Sequence, residues 1–442
     1  MSLNFNMENS AQSNHILILG GGFAGIGVLK KLQNEFYTNK NIEITLVDKD
    51  NFILFSPMLP EIVSGMIETR HIVTPIRAFC KKAKFYEANV QNIDLENKKV
   101  EIVHSLGKQS NSNDVHTHIF QYDHLVIGLG SEDNFFGNKN IEKNAFTLKT
   151  INDAIILRNH IIKILEQANL EQNNMNLRKN LLTFVVVGGG FSGVETVGSV
   201  NDFVRDTIKE YYPEIYMTDV RVILINATDS ILEQIDGELG KFALEKLKAN
   251  GVEFIMNSKV KDVTNDKAIL DNDEEINTYS LIWTAGVTQS KLISDLNCEH
   301  DKSHRIVTNE HLEVKNYENT VYALGDCASI IDTHTGKPYP PTAQHAIRQS
   351  DTVAENIITS IKTKNQGVKR KFDYKTKGMM AQIGKRSGVA ILFGKIKLHG
   401  IIAWWLWRSY YLANLPTTKK KFKVIGDWTS DLLYKPDVSQ IH

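Results

Sequence analysis

The sequence predicts an α/β fold with two Rossmann-like dinucleotide-binding domains, the second inserted into the first, followed by a C-terminal module. Two observations carry this prediction. A short apolar run at 15–19 leads directly into the glycine-rich turn GGGFAG at 20–25. The same arrangement recurs in the second half, where the apolar run at 183–187 precedes GGGFSG at 188–193. A strand, a glycine-rich turn and a helical pattern that occur twice indicate two similar nucleotide-sized α/β domains.

Each half also continues in the same order after its glycine turn. A helical pattern comes first, then a β-branched run, then alternating apolar residues, and finally a buried strand that ends in glycine. After the helical patterns, the segments are 42–47, 85–103 and 124–131 in the first half, and 220–225, 254–270 and 280–287 in the second. The shared order supports a duplication rather than two chance glycine clusters.

The domain bounds follow from these elements. We expect the first part of the first domain at 1–150, the inserted domain at 151–300, the return to the first domain at 301–365 and the C-terminal module at 366–442. A polar stretch at 107–118 is typical of a hairpin loop.

Composition excludes several classes of protein. The chain has 442 residues, with 51 Lys plus Arg and 51 Asp plus Glu, so its net charge is zero. That balance argues against nucleic-acid binding through a general positive field. Its three cysteines include no close pair, which excludes a disulfide scaffold and a cysteine zinc site, and no metal site is predicted. The polar N-terminus shows no signal peptide, and no apolar stretch is long enough to span a membrane, so we expect an intracellular protein.

The two glycine turns have the spacing GxGxxG. In such a turn the first glycine permits the tight turn, the second lets a pyrophosphate approach the backbone, and the third lets helix and strand pack closely. The phosphates then lie on the free N–H groups at the start of the helix. These glycines are Gly20, Gly22 and Gly25 in the first copy and Gly188, Gly190 and Gly193 in the second.

Polar residues at two further strand ends fit a dinucleotide site. Asp48 ends the strand after the first turn, where its carboxylate can accept hydrogen bonds from ribose hydroxyls. Asn226 ends the equivalent strand after the second turn. Gly325 and Asp326 follow a third short strand and would bring a carboxylate to a cofactor's linker and phosphates. Two dinucleotides in one protein favour hydride transfer between a nicotinamide and a flavin.

The motifs resemble those of the two-dinucleotide flavoproteins of the disulfide reductase superfamily and, within it, the type II NADH:quinone dehydrogenases, which do not pump protons. The resemblance covers roughly residues 14–435. Besides the two turns it includes NFILFSPMLPEIVSG at 51–65, LIWTAGV at 281–287, ALGDCA at 323–328 and PPTAQHAIRQ at 340–349. The AQxA element in the last motif is the most specific.

The resemblance implies a site residue by residue. Gly20, Gly22, Gly25, Asp48 and Asp326 would hold FAD, and Gly188, Gly190 and Gly193 would hold NADH. Further cofactor-binding residues would be Phe23, Ala24, Lys49, Gly130, Asn226, Gly286, Gly325, Ala343 and Gln344. Ala343, Gln344 and Ala346 would lie on the quinone side of the flavin.

The resemblance also implies three catalytic residues. Glu195 would lie near the nicotinamide and the flavin, in the first turn of a helix whose dipole favours a carboxylate. Gln344 has an amide that can donate to a quinone carbonyl. Lys377 would stabilise negative charge on the reduced flavin or quinol, although the sequence alone favours a solvated surface lysine there.

The C-terminal module is rich in aromatic residues. Trp404, Trp405 and Trp407 lie in one short segment, and four lysines follow within 419–423. Trp and Tyr prefer the bilayer–water boundary, and lysines attract anionic lipid, so the segment predicts a helix lying on a membrane. The alternative is a helix buried in the domain core or in a dimer interface.

The sequence thus predicts a peripheral flavoenzyme at the cytoplasmic face of the cell membrane, and a homodimer. It would use FAD and NADH to reduce a quinone, with no nucleic acid as partner. NADPH would be tolerated because Asn226 is neutral. Two alternatives stay open. One is a soluble flavoprotein that reduces an electron-carrier protein or senses NADH. The other is a sulfide:quinone oxidoreductase, which would need cysteines beside the flavin. Cys80 and Cys298 lie in no motif of that family, and Cys327 lies within the Gly325–Asp326 turn.

Overall fold

The computed structural model describes residues 14–105, 115–435 and 437–440, which form two compact units. The polar N-terminal segment and most of the predicted loop at 107–118 fall outside this description. The first unit comprises residues up to 53, 74–132 and 288–375. The second comprises 54–73, 133–287 and the residues from 376 onward. The domain bounds expected from the sequence stay a prediction.

Helices and strands alternate along most of the chain. The α-helices of the described residues are α1 Phe23–Glu35, α2 Leu59–Val63, α3 Lys139–Asn144, α4 Ile151–Leu170, α5 Met175–Leu181, α6 Phe191–Tyr211, α7 Gly237–Ala249, α8 Lys291–Ser294, α9 Ala343–Thr363, α10 Gly400–Asn414 and α11 Thr418–Leu433. The strands are β1 Asn14–Leu19, β2 Ile42–Asp48, β3 Phe52–Leu54, β4 Val73–Pro75, β5 Lys84–Glu87, β6 Asn89–Asp94, β7 Lys99–Ser105, β8 Val115–Gln121, β9 His124–Ile127, β10 Glu132–Asp133, β11 Thr183–Val187, β12 Arg221–Ile225, β13 Val252–Ile255, β14 Val260–Val263, β15 Lys267–Leu270, β16 Glu275–Asn277, β17 Ser280–Trp283, β18 Val287–Thr288, β19 Ile306–Val307, β20 Val321–Ala323, β21 Ala328–Ser329, β22 Gly378–Gln382, β23 Gly388–Leu392 and β24 Ile396–His399.

The first unit is built on a five-stranded parallel sheet with the order β20-β9-β1-β2-β5. Leu17 of the central strand β1 pairs with Thr45 on one side and Leu125 on the other. The chain therefore crosses over to both sides of β1, which opens a crevice at the carboxyl ends of the strands. Helices α1 and α9 pack against each other in this unit. The strands β6, β7 and β8 form a separate antiparallel sheet.

The second unit repeats this plan with a four-stranded parallel sheet of order β13-β12-β11-β17. Val185 of β11 pairs with Ile223 on one side and Leu281 on the other, as Leu17 does in the first unit. Both central strands are buried on both faces, because covered parallel sheets leave neither face to solvent. The predicted α/β fold with two parallel sheets is confirmed.

The C-terminal part of the second unit has a three-stranded antiparallel sheet, β22-β23-β24, against which α10 packs. Trp404 and Trp407 are 3% and 1% exposed, whereas Trp405 is 57% exposed. The prediction that this aromatic cluster lies on a membrane is therefore wrong for Trp404 and Trp407, which belong to the protein core. They share one stripe of α10, and a stripe of that kind faces inward. Among the described residues, none of the helices is both long and apolar enough to cross a bilayer.

Candidate functional site

The first glycine turn connects β1 to α1, and each of its glycines has a distinct environment. Gly20 has a φ of +100°, which favours glycine, and its backbone N–H donates to Val47. A Cβ on Gly25 would lie 1.8 Å from the Gly20 carbonyl oxygen, so helix and strand touch at this position. Gly22, at the start of α1, is exposed, and a Cβ there would meet no described atom within 4 Å. These three environments are the ones expected for the glycines of a pyrophosphate-binding turn.

Asp48 lies at the carboxyl end of β2, beside this turn. Its Oδ2 accepts a hydrogen bond from the Gly21 N–H, and its Oδ1 accepts one from Asp50 N at 2.7 Å. Burial raises the pKa of Asp48, while these two backbone donors oppose that rise. Lys49 beside it is exposed. The carboxylate therefore stabilises the glycine turn. It also lies at the end of the strand, the position from which an acid accepts hydrogen bonds from ribose hydroxyls in such folds.

A second element of the first unit, the Gly325–Asp326 turn, lies close to the first glycine turn. Gly325 has a φ of +76°, and a Cβ there would lie 3.4 Å from the Ala24 Cβ and 3.8 Å from the Ala346 Cβ. The structure thus brings Ala24, Gly325 and Ala346 together. Gly130, which follows β9, also has a positive φ, of +75°, with open space around it.

Three residues that the sequence did not indicate hold the Gly325–Asp326 turn in place. Gln349 Oε1 accepts from Gly325 N at 2.7 Å. Ser131 Oγ donates to Asp326 Oδ2, and Gln289 Nε2 donates to the Asp326 carbonyl, both at 3.1 Å. Gln349 ends the motif at 340–349, which is the one signal by which it could have been found. Ser131 ends the predicted strand segment at 124–131, whereas Gln289 carries no such signal.

The second glycine turn, between β11 and α6, repeats the geometry of the first. Gly188 has a φ of +111°, and a Cβ on Gly193 would lie 1.8 Å from the Gly188 carbonyl oxygen. Gly190 is exposed at the start of α6, with no described atom within 4 Å of a Cβ placed there. Gly286, which follows β17, has a φ of +100° and is exposed.

Asn226 occupies the position of Asp48 in the second unit. Its Oδ1 accepts from Gly189 N at 2.8 Å, just as Asp48 accepts from the equivalent Gly21. Its amide Nδ2 donates to Thr228 Oγ1 at 2.9 Å and to the Ser230 carbonyl at 2.7 Å. An amide can make both kinds of contact, whereas a carboxylate could make only the first.

Glu195 lies in the second turn of α6, after the second glycine turn. Its Oε1 accepts from Gln382 N at 3.0 Å and from the Trp407 indole N–H at 2.9 Å. Burial is the main cause that raises the pKa of Glu195 to about 8, with a contribution from the nearby Glu61. Burial, rather than the helix dipole on which the sequence argument relied, is the main influence on this acid, and it favours the protonated form.

The other predicted catalytic residues lie on different elements. Gln344 and Ala343 are half-buried in the first turn of α9, which Thr342 caps. Lys377 belongs to the second unit, precedes β22 and is exposed. Its backbone carbonyl accepts from Phe393 N at 2.6 Å.

The three cysteines are unsuited to thiolate chemistry. Cys327 is buried, and burial raises its pKa to about 11. Burial likewise raises the pKa of Cys298 to about 11 and raises that of Cys80. Neutral thiols are poor nucleophiles, which argues against sulfur transfer.

Comparison with known proteins places these features in a family. Residues 14–350 match the family model described as pyridine nucleotide-disulphide oxidoreductase, and residues 376–435 match the one described as NDH2 C-terminal domain. A probable NADH dehydrogenase of Dictyostelium discoideum is 34% identical over 97% of this chain and 91% of its own length. The type II NADH:quinone oxidoreductase Ndh of Mycobacterium tuberculosis is 32% identical over 95% and 88%. The solved structure of NDH2 from Plasmodium falciparum in complex with NADH shares the fold, with a TM-score of 0.87, 21% identity and coverage of 97% of this chain and 100% of that one.

Proposed function

We propose how the residues of this chain carry out the reaction of its family. The chain belongs to the pyridine nucleotide-disulphide oxidoreductases and, within them, to the type II NADH:quinone oxidoreductases. It is an FAD-dependent NADH:quinone oxidoreductase. The observation that carries the residue assignment is the pair of matching glycine turns. In each, the second glycine leaves open space at the start of a helix, where a pyrophosphate is favoured.

We assign FAD to the first unit. Its residues fit the larger cofactor because the glycine turn, Asp48 and the Gly325–Asp326 turn all belong to that unit. The contact distances around Gly325 show a close cradle of small residues that a side chain there would fill. FAD, when bound, supplies the two-electron chemistry that joins nicotinamide oxidation to quinone reduction.

We assign NADH to the second unit, where the turn at 188–193 would hold its pyrophosphate. Asn226 would accept one hydrogen bond from the ribose at its Oδ1, which also accepts from Gly189, because its Nδ2 already donates to Thr228 and Ser230. A neutral amide does not repel a 2′-phosphate as a carboxylate would, so we propose that NADPH is tolerated as a weaker donor.

We propose that Glu195 holds a proton for the reduction of the quinone. Oxidation of NADH by a quinone takes up one proton from water, because the hydride brings only one of the two protons of the quinol. A carboxyl group whose pKa is about 8 is protonated at neutral pH and can supply that proton. Gln344 would donate its amide hydrogen to a quinone carbonyl, and Lys377 would stabilise the negative charge of the reduced state.

The experiment that tests the function is the visible spectrum of the purified protein before and after NADH is added without oxygen. We expect an oxidised flavin spectrum that NADH bleaches and that an added quinone restores. A colourless protein, or a flavin that NADH leaves oxidised, would contradict the proposal.

We also propose that the protein is peripheral to the membrane, at its cytoplasmic face, and forms a homodimer. The feature that supports membrane binding is the outward face of α10, where Ile401, Ile402 and Trp405 are 54%, 63% and 57% exposed. Lysines at the start of α11 would add attraction to anionic lipid. Sizing chromatography of the purified protein tests the dimer, and a monomer would contradict it.

Point variants test membrane binding better than removal of the C-terminus, because α10 also supplies Trp407 to Glu195. We expect Ile402→Glu combined with Trp405→Glu to abolish sedimentation with vesicles rich in anionic lipid. Val368→Glu is the matched control, since Val368 is 96% exposed but lies in the first unit. Equal retention of both variants on the vesicles would count against this surface.

A further inference from the structure

A fully buried acid lies near the half-buried Glu195 in the second unit. Glu61, on α2, is 1% exposed. Its Oε2 accepts from the Trp428 indole N–H at 3.1 Å. Its Oε1 lies 3.5 Å from Arg408 Nη2 and has no hydrogen-bond partner within the part of the chain that the structure describes. That oxygen faces the Arg408 guanidinium, which favours the charged form of Glu61.

Arg408 is as deeply buried as the acid that it faces. It is 3% exposed, and its guanidinium carbon lies 4.0 Å from the centre of the Trp404 ring and 4.5 Å from that of Trp428. Two indole faces stabilise the cation but do not neutralise it. Glu61 is the carboxylate in contact with this buried charge.

The two acids are joined through α10 and through helix packing. Trp407 donates its indole N–H to Glu195, and the next residue, Arg408, faces Glu61. Helices α2 and α6, which carry the two acids, pack directly against each other. Arg408 is occupied by Glu61, so a negative charge on Glu195 would be repelled by the charge on Glu61.

We propose that Glu61 is a positioning residue for Glu195: the negative charge of Glu61, held by Arg408 and the Trp428 indole, keeps a proton on Glu195 until a quinone takes it. This inference rests on the proposed function of Glu195. In each turnover Glu195 gives up one proton to the reduced quinone. Its carboxylate then regains one proton from water, either directly or by way of Glu61, and no electron moves in these steps.

Other charged and polar groups around the pair are consistent with this coupling. Burial raises the pKa of Glu61 to about 7, against the opposing effects of Arg408 and Trp428, and Asp431 on α11 raises it further. The phenol of Tyr411 on α10 and the backbone N–H of Gln382 also face Glu195. Arg158, on α4, donates to the Val63 carbonyl of α2 at 3.4 Å. Because the two carboxyls interact, they titrate as a pair.

The experiment is the pH profile of kcat for quinone reduction in the full-length holoenzyme. The wild type should lose activity as pH rises through the pKa of Glu195. In Glu61→Gln the repulsion between the two carboxylates is gone, so Glu195 should lose its proton at a lower pH than in the wild type, with about two- to threefold less activity near pH 8.5. Glu61→Asp keeps the charge and is the matched control, which should stay near the wild-type profile. Flavin reduction by NADH should be unchanged in both variants.

Two results would overturn the inference. One is a Glu61→Gln protein that has a normal melting temperature and the same pH profile of kcat as the wild type. The other is a Glu195→Gln protein that retains the wild-type alkaline loss, which would also remove the role proposed for Glu195 itself. If Glu61→Gln does not fold, Trp428→Phe decides. Without the indole donor, Glu61 is less ionised and repels a charge on Glu195 less. The alkaline loss of kcat should therefore shift to lower pH, by less than in Glu61→Gln. A pH profile identical to that of the wild type would refute the coupling.

Discussion

The sharpest test of the two glycine turns is a methyl group placed on Gly190. Its backbone has a φ of −74° and a ψ of −174°, a region open to alanine, and a Cβ there meets no described atom within 4 Å. The folded protein should therefore accept Gly190→Ala without loss of stability. A pyrophosphate on the helix start would instead be pushed away from the backbone N–H groups.

The size of the effect follows from the contact that is lost. A hydrogen bond to a charged group contributes about 1.5–3 kcal/mol. Losing one should weaken NADH binding by roughly 10- to 150-fold. The assay is the dissociation constant for NADH measured anaerobically on flavin-free protein, with the melting temperature as the control for folding.

Matched variants make this prediction specific. Gly22→Ala, at the same position of the first turn, should reduce FAD content and leave the NADH constant unchanged. Gly193→Ala should instead damage the fold, because its Cβ would lie 1.8 Å from the Gly188 carbonyl oxygen. If Gly190→Ala bound NADH as tightly as wild type while Gly22→Ala lost FAD, the second turn would not be the NADH site.

Three further predictions concern single side chains. Asn226→Asp should keep the Gly189 contact and raise the preference for NADH over NADPH by about 1–3 kcal/mol. The measurement is the ratio of kcat/KM for NADH to that for NADPH. A ratio equal to that of the wild type would mean that Asn226 does not face the ribose. Gln344→Ala should slow quinone reduction several-fold, for a loss of about 0.5–1.5 kcal/mol, and leave flavin reduction by NADH unchanged; stopped-flow measurement of both half-reactions decides, and equal slowing would place Gln344 in flavin support. Cys80→Ser and Cys298→Ser should retain full NADH:quinone activity, and a loss in either variant without a fall in melting temperature would revive a thiol mechanism.

Much of the fold and the turns could be predicted from the sequence because they are local. A strand, a glycine turn and a helix lie within about twenty residues of each other, and the roles of the glycines depend on backbone geometry that spacing specifies. The equivalence of Asp48 and Asn226 was also predictable, since each ends the strand that follows its turn. Both then contact the second residue of their turns, Gly21 and Gly189.

The contacts that set the properties of Glu195 could not be predicted in this way. Trp407 is 212 positions away along the chain, and Arg408 and Glu61, the pair beside it, are 347 positions apart. Composition showed an aromatic segment but not which ring faces inward, so Trp404 and Trp407 were assigned to a membrane surface. One stripe of a helix is distinguished from the other only by what it packs against.

The likeness of the two turns has a consequence for how the enzyme tells its cofactors apart. The first glycines have φ values of +100° and +111°, and the third glycines approach the first carbonyl oxygen equally closely, at 1.8 Å. Backbone that similar offers the same phosphate contacts to FAD and to NADH, so it cannot discriminate between them. Selection must come from side chains outside the turns. Asp48 presents a carboxylate, which can only accept hydrogen bonds. Asn226 presents an amide whose Nδ2 already donates to Thr228 and Ser230. The Gly325–Asp326 turn, which lies in the first unit, would add contacts for the longer cofactor. We therefore expect the choice between the two dinucleotides to be set at the strand ends rather than at the glycines.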